Sequence, residues 1–268
     1  HTGKKENLEE VLEKIEFYNE DIRNISKLES ILKDVDGIFH EAALTLVQES
    51  FEKQKEYFDV NVKGTENIFK IAKKYEKKVV YASSSSIYGN TKVIPIKENF
   101  ERKPINPYGQ TKLEDEFLAE KYREEGVSII GLRYFNIFGK GQTGSYAGVI
   151  TQFMNKVFEK KELQINGDGE QVRDFIHVSD VAQANLSAME SKTEFGFFNI
   201  GTGEMTSIKS LAGTMIKLSN EKLGLKFNSS LKGDVKLSLA DIIKTEKELD
   251  WKYRIGLKEG LKQLFQEW

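Results

Sequence analysis

The chain has 268 residues, with 40 Lys and Arg against 42 Asp and Glu and a formal net charge of -2, so no broad basic field exists to attract nucleic acid or an anionic membrane. Hydrophobic residues are 39% and charged residues 31%, which describes a globular chain rather than a disordered one. The absence of cysteine excludes disulfides and thiolate chemistry and allows a reducing compartment, and no apolar run approaches the roughly 18 residues of a membrane span.

The first residues, "HTGKKENLEE", carry neither an initiator Met nor a strand, so upstream residues are expected. "DGIFHEAA" (36–43) predicts a buried strand, followed by helix-like spacing over 48–75. "KKVVYASSSS" (77–86) predicts the next strand. After a loop, a helix is predicted from Pro107 to about Glu125, then one strand over "VSIIGLRYFNIFG" (127–139). This alternation implies a parallel sheet with helices on both faces, an α/β doubly wound architecture.

The pattern changes after Gly139. A helix ("YAGVITQFMNKVFEKK"), a short strand ("ELQIN"), a helix over "VSDVAQANLSAMES" with Ser179 and Asp180 as caps, and a strand in "FGFFNIGTG" precede two or three further helices. The expected division is residues 1–139, with parts of 175–202, as one domain. A smaller α/β domain over 140–268 packs on it.

Tyr-x-x-x-Lys occurs twice. In "YGNTK" (88–92), Gly89 and Asn90 signal a turn, so Tyr88 and Lys92 need not share a face. In "INPYGQTK" (105–112), Asn106 suits an N-cap and Pro107 the first helical position. Tyr108 and Lys112 then lie one turn apart on one face. From the spacing alone this is either a reactive pair or an ordinary surface i,i+4 pair. "GKGQTG" (139–144) is a literal G-x-G-x-x-G with Asp168 beyond it, a weak dinucleotide signal so late in the chain. His1, His40 and His177 lack ligand spacing, and no metal site is expected.

Seven motifs in order carry a family likeness: "DIRN" (21–24), "FHEAA" (39–43), "NVKGT" (61–65), "YASSSSIYG" (81–89), "PYGQTK" (107–112), "GLRYFNIFG" (131–139) and "GDGEQVRDFIHVSDVA" (167–182). Together they resemble the extended short-chain dehydrogenases/reductases, specifically the NAD-dependent sugar-nucleotide epimerases. The resemblance spans nearly the whole chain and implies a Rossmann-like fold. It also implies that the Gly-rich phosphate loop lies upstream of His1.

The resemblance implies C4 epimerisation of a nucleotide-linked hexose by hydride exchange with NAD. Tyr108 would be the base, and bringing a phenol from about 10 to about 7 takes about 4 kcal/mol of selective anion stabilisation. Lys112 supplies charge of the right sign and would also hold the nicotinamide ribose. Ser84, with Ser83 as the alternative, would relay the proton; the serines could also be a polar strand end. Asp21 and Ile22 match an adenine contact, Ala42 and Ala43 a close backbone approach to the cofactor, and Phe135 a nicotinamide neighbour. Glu41 stands where the family more often has an apolar residue. Asn61 matches a family asparagine whose role is either cofactor binding or bonding backbone between strands.

On the substrate side the resemblance implies Asn136, Arg173, Asn199, Asp234 and Ser238. Arg173 would grip the diphosphate, or else pair with Asp174. Dehydratases of the family carry an Asp-Glu pair where this chain has Ser85 and Ser86, so elimination lacks its acid and base. Glucuronate epimerases tolerate the serines and stay open beside UDP-glucose/UDP-galactose and the N-acetyl forms, as do a nucleotide-sugar dehydratase or decarboxylase and an inert nucleotide-binding homologue. An Arg is common where Leu231 stands, with Lys232 adjacent. Ser238 is small where bulky residues exclude N-acetyl groups. The helices at 48–75 and 107–125 resemble those that pair in homodimers, and a cytoplasmic homodimer is expected.

Overall fold

Short apolar runs become strands. In the computed structural model, which describes residues 3, 5–142 and 148–268, these are β1 (Gly37–His40), β2 (Lys78–Ser84), β3 (Ile129–Tyr134), β4 (Asn136–Phe138), β5 (Leu163–Asn166), β6 (Val172–Arg173), β7 (Phe175–His177), β8 (Phe195–Ile200), β9 (Thr206–Ser207) and β10 (Leu225–Asn228). Four of them form a parallel sheet in the order β1-β2-β3-β8. All six residues of β3 are buried, as a parallel strand covered on both faces requires.

Alternate β2 side chains enter two different cores. Val79 and Tyr81 pack with Ile68, Phe69 and Tyr122 on one face of the sheet. That face is covered by α1 (Ile25–Leu32), α4 (Gly64–Tyr75) and α5 (Pro107–Glu124), with the short α2 (Val47–Glu52) and α3 (Gln54–Tyr57) leading in. Val80 packs with Ile130, Val181, Phe198 and Trp251 on the other face, under α7 (Val178–Glu190) and α9 (Ile243–Leu249). A separate core gathers Phe138, Phe153, Leu163, Leu211 and Leu261 from β4, α6 (Val149–Phe158), α8 (Ile208–Ser219), α10 (Leu257–Glu267) and the β5–β10 pair.

Three local expectations are corrected. The segment 48–75 is not one helix: α2, α3 and a π-helical stretch, Phe58–Lys63, precede α4. The wider turn buries Asn61 toward the loop after β1, where it bonds Leu44. The strand predicted over 127–139 breaks after Phe135: its amide makes the last bond to β8, to Ile200 O at 3.0 Å, while the next amide, Asn136, bonds Asp174 O at 2.9 Å, so that β4 leaves the sheet and pairs with β7. Neither Ser179 nor Asp180 caps α7. His177 does, its Nδ1 accepting from Ser179 N at 3.3 Å, while Asp180 accepts from the amides of Arg254 and Ile255.

Candidate active site

The helix that begins at Pro107 is fixed by its own sequence. Asn106 Oδ1 accepts from Gly109 N at 2.8 Å, and Pro107 fills the first position. A Cβ at Gly109 would lie 2.8 Å from the carbonyl oxygen of Ser86, so glycine lets α5 start hard against the turn that follows β2. Tyr108 is half-buried and Lys112 is buried. Lys112 Nζ donates to Ala82 O at 2.9 Å and to Asp115 Oδ2 at 3.2 Å. Burial opposes the ammonium's charge, but Asp115, Tyr108 and Glu41 together outweigh it and raise its proton affinity. Lys112 therefore faces inward, on the helical face that also carries the half-buried Tyr108. The earlier Tyr-x-x-x-Lys is different: Gly89 has φ +63°, and the buried Tyr88 donates to Asn199 Oδ1 at 2.7 Å.

The two candidate serines separate cleanly. Ser83 donates to Glu116 Oε1 at 2.7 Å, which commits its proton away from the strand end. Ser84, the last residue of β2, accepts from Ser86 N at 3.2 Å, which leaves its own O–H able to donate. Ser85 and Ser86 line a cavity of about 290 Å³ beside it.

Around the C-terminal ends of β1 to β3 lie the residues matched to a cofactor. Ala42 is exposed and Ala43 half-buried in the loop after β1. Asn61 clamps that loop, its side chain accepting from Leu44 N at 2.8 Å and donating to Leu44 O and Thr111 Oγ1, each at 3.0 Å. It joins a loop to α5 and does not bridge strands. Phe135, just past β3, packs with Ile87 and Leu113. Glu41 accepts from Tyr134 at 3.0 Å, and burial of its carboxyl pushes that group up. Farther out, Asp21 is held by the Arg23 side chain and amide, which lower it to about 2, and Ile22 packs against Gly64.

The same 290 Å³ cavity brings together Asn136, Arg173, Asp234 and Ser238, with Leu231 on its wall. Arg173 pairs with Asp234 at 2.5 Å, not with Asp174. Asp174 instead accepts from Thr202 N and Oγ1, Gly203 N and Ala240 N, pinning the Gly turn after β8. Lys232 stands 4.7 Å from the centre of the Phe51 ring. Asn199 does not reach the cavity: it is fully buried, and its side chain bonds Tyr88, Ile96 O and Asp241 O. Of "GKGQTG", Thr143 and Gly144 lie outside the described residues. The segment follows β4, which is not part of the parallel sheet, so it is not placed as a strand–helix fingerprint.

Residues 1–201 match the NAD dependent epimerase/dehydratase family. The chain belongs to that family. A putative UDP-glucose 4-epimerase of Methanocaldococcus jannaschii is 38% identical over 98% of this chain and 86% of its own length. Among solved structures, UDP-glucose 4-epimerase from Thermotoga maritima, with UDP-glucose, has a TM-score of 0.90 at 32% identity, covering 96% of this chain and 87% of its own. UDP-glucuronic acid 4-epimerase from Bacillus cereus, with UDP-glucuronic acid and NAD, has 0.91 at 30%, covering 97% and 84%.

The residues present fit the family's cofactor. Two of the three N–H donors of Lys112 are used by Ala82 and Asp115, which leaves one for a ribose hydroxyl. The backbone at Ala42 and Ala43 carries only methyl groups. These groups sit at the carboxyl ends of parallel strands, where such sheets bind nucleotides.

Sequence reasoning missed the ionic network beneath the site. Arg133 donates to both Glu116 oxygens at 2.8 Å and to Tyr88 Oη at 2.7 Å, with Arg133 and Glu116 both buried. A signal existed: Glu116 lies eight residues beyond Tyr108 and four beyond Lys112, on the same helical face.

Proposed function

We propose that this chain interconverts the C4 epimers of a UDP-linked hexose, UDP-glucose and UDP-galactose or their N-acetyl forms. The reading is carried by Lys112: a buried ammonium on the face of α5 that bears Tyr108, bonded to the strand that ends on Ser84. Bound NAD would supply a reversible hydride acceptor. Tyr108, as phenolate, takes the C4 hydroxyl proton, directly or through Ser84, and gives it back when the ketone is reduced on its other face. Lys112 stabilises the phenolate and holds the ribose. Arg173 and Asn136 orient the diphosphate and sugar, and Asp234 holds the Arg173 fork. Ser85 and Ser86 supply no acid for water elimination.

A UDP-glucuronate substrate is the second reading, supported by the likeness to the Bacillus cereus enzyme. Incubating the full chain with NAD and each UDP-sugar, with products followed by proton NMR, separates the two. Tyr108→Phe should lose 100- to 10,000-fold in rate, on the order of a general base's contribution. Absence of any C4 epimer from every UDP-sugar overturns the reading. The division into a cofactor-binding part (1–139 with parts of 175–202) and a substrate-binding part (140–268) belongs to this proposal. So does a homodimer, supported by Phe58 and Phe117, which are 43% and 44% exposed on the segments expected to pair. Sedimentation of wild type against Phe117→Asp tests it.

A further inference from the structure

The acid–base reading uses Tyr108, Lys112 and Ser84 but leaves a fourth ionisable group unexplained. Asp115 lies three residues beyond Lys112 on α5 and is fully buried. Its Oδ2 accepts from Lys112 Nζ at 3.2 Å, and its Oδ1 has no hydrogen-bond partner. From α4, the Thr65 hydroxyl faces the carboxyl and favours its charged form, and it lies 2.8 Å from Nε2 of His40 on β1. From β2, Tyr81 faces the group with its own hydroxyl buried and unpartnered. On α5 itself, Glu116 is the neighbouring anion. Lys112 is thus the cation that faces Asp115, and His40 is kept neutral by burial and by Lys112. An ion pair in such a place is a poor stabilising device, since apolar residues of similar volume often do as well.

We propose that Asp115 is a positioning and charge-setting residue for Lys112: it fixes the ammonium beside the Ala82 carbonyl and offsets part of the positive charge that Lys112 presents to Tyr108. The proposal rests on the assignment of Tyr108 and Lys112 as the working pair. Removing a nearby anion lowers the proton affinity of every group it faces. Without Asp115, the phenol gives up its proton more readily, and so does the ammonium. Burial pushes the Asp115 carboxyl upward while Lys112 and Thr65 pull it down, so its charge changes closer to neutrality than that of an exposed aspartate.

The test is Asp115→Asn in the full chain with NAD. Both limbs of the pH dependence of kcat should move to lower pH, by about one unit. Ultraviolet difference titration, wild type minus Tyr108→Phe and the same pair in the Asn background, should show the phenol moving in the same direction. That readout does not depend on turnover. If the phenol shifts and no epimer forms, the charge-setting role stands and the epimerase reading fails. Unchanged limbs and an unchanged phenol titration, with activity falling only as folded protein falls, overturn the proposal. Should Asp115→Asn not fold, Thr65→Val carries the test. It removes the hydroxyl that favours the carboxylate and should give a smaller shift of the same sign, and no shift there is equally fatal.

Discussion

Lys112 Nζ donates to the carbonyl oxygen of Ala82 at 2.9 Å, so the helix that carries Tyr108 is fastened to the strand that ends on Ser84. Replacing the lysine removes that fastening and leaves Asp115 buried without its counter-ion. Lys112→Met should abolish more than 99% of turnover, about 3 kcal/mol or more of transition-state stabilisation. It should also destabilise the fold, because breaking a buried pair costs about 3–5 kcal/mol. The stability loss has a pH sign. An unpaired buried carboxyl has a folded pKa above its unfolded one, so the variant is most stable at low pH and weakens as pH rises through the folded value. Urea unfolding at pH 5 and pH 8 checks this: a loss that is the same at both values contradicts it.

Arg173 and Asp234 form an ion pair at 2.5 Å in the wall of the cavity that also holds Asn136, the contact to which the proposed function gives the diphosphate. The planar fork of arginine can bond Asp234 and a diphosphate at once. Arg173→Lys keeps the charge and loses the fork, so KM for the UDP-sugar should rise about tenfold with kcat changed much less, the pattern of lost uniform binding. Leu231 lies on the same wall, and Lys232 is drawn onto the Phe51 ring instead. Leu231→Arg should therefore lower KM several-fold. Isothermal titration with UDP gives an independent reading of both changes.

Much of this was legible in the sequence because it is local. Asn106, Pro107 and Gly109 specify the start of α5, and the i,i+4 spacing then puts Tyr108 and Lys112 on one face. Arg173, Asp234, Asn136 and Ser238 come from segments far apart in the chain, and their convergence on one cavity came only with the family likeness. What was not legible depends on three-dimensional pairing. Nothing near Asn199 marks it as a fastener between Tyr88 and the backbone of Ile96 and Asp241. The π-helical stretch at Phe58–Lys63 leaves the helical charge pattern of 48–75 intact while turning Asn61 inward. The break after Phe135 follows from the Asn136 amide bonding Asp174 O, a distant partner that apolar patterning does not name.

Under the proposed function, Ser238 would set how much room the sugar has. It is buried on the cavity wall beside Leu237 and Asp234, and its amide bonds Val172 O at 3.2 Å, so its backbone position is fixed and side-chain size decides the space. UDP-N-acetylhexosamines should be accepted as well as UDP-hexoses. Ser238→Tyr should reduce kcat/KM for UDP-N-acetylglucosamine at least tenfold while leaving UDP-glucose within about threefold, since an overpacked pocket costs about 1–3 kcal/mol. Equal losses on both substrates would argue that the acetyl group points elsewhere.

His40 gives the fold a pH dependence of its own. It is buried at the end of β1 with Nε2 2.8 Å from Thr65 Oγ1, and burial, with a contribution from Lys112, lowers it to about 3. In the unfolded chain an imidazole titrates near 6.5. Its folded value is the lower one, so the unfolded state binds the proton first as pH falls. The neutral imidazole costs nothing above pH 6.5, and stability then declines through the window from about 6.5 down to about 3. The full effect is on the order of 5 kcal/mol. His40→Gln keeps a polar partner for Thr65 and removes the titration. Its urea-unfolding free energy should therefore fall less steeply between pH 6.5 and 4 than that of the wild type, by up to about 1.4 kcal/mol per pH unit. Parallel pH profiles for the two proteins would show that His40 is already protonated in the folded state.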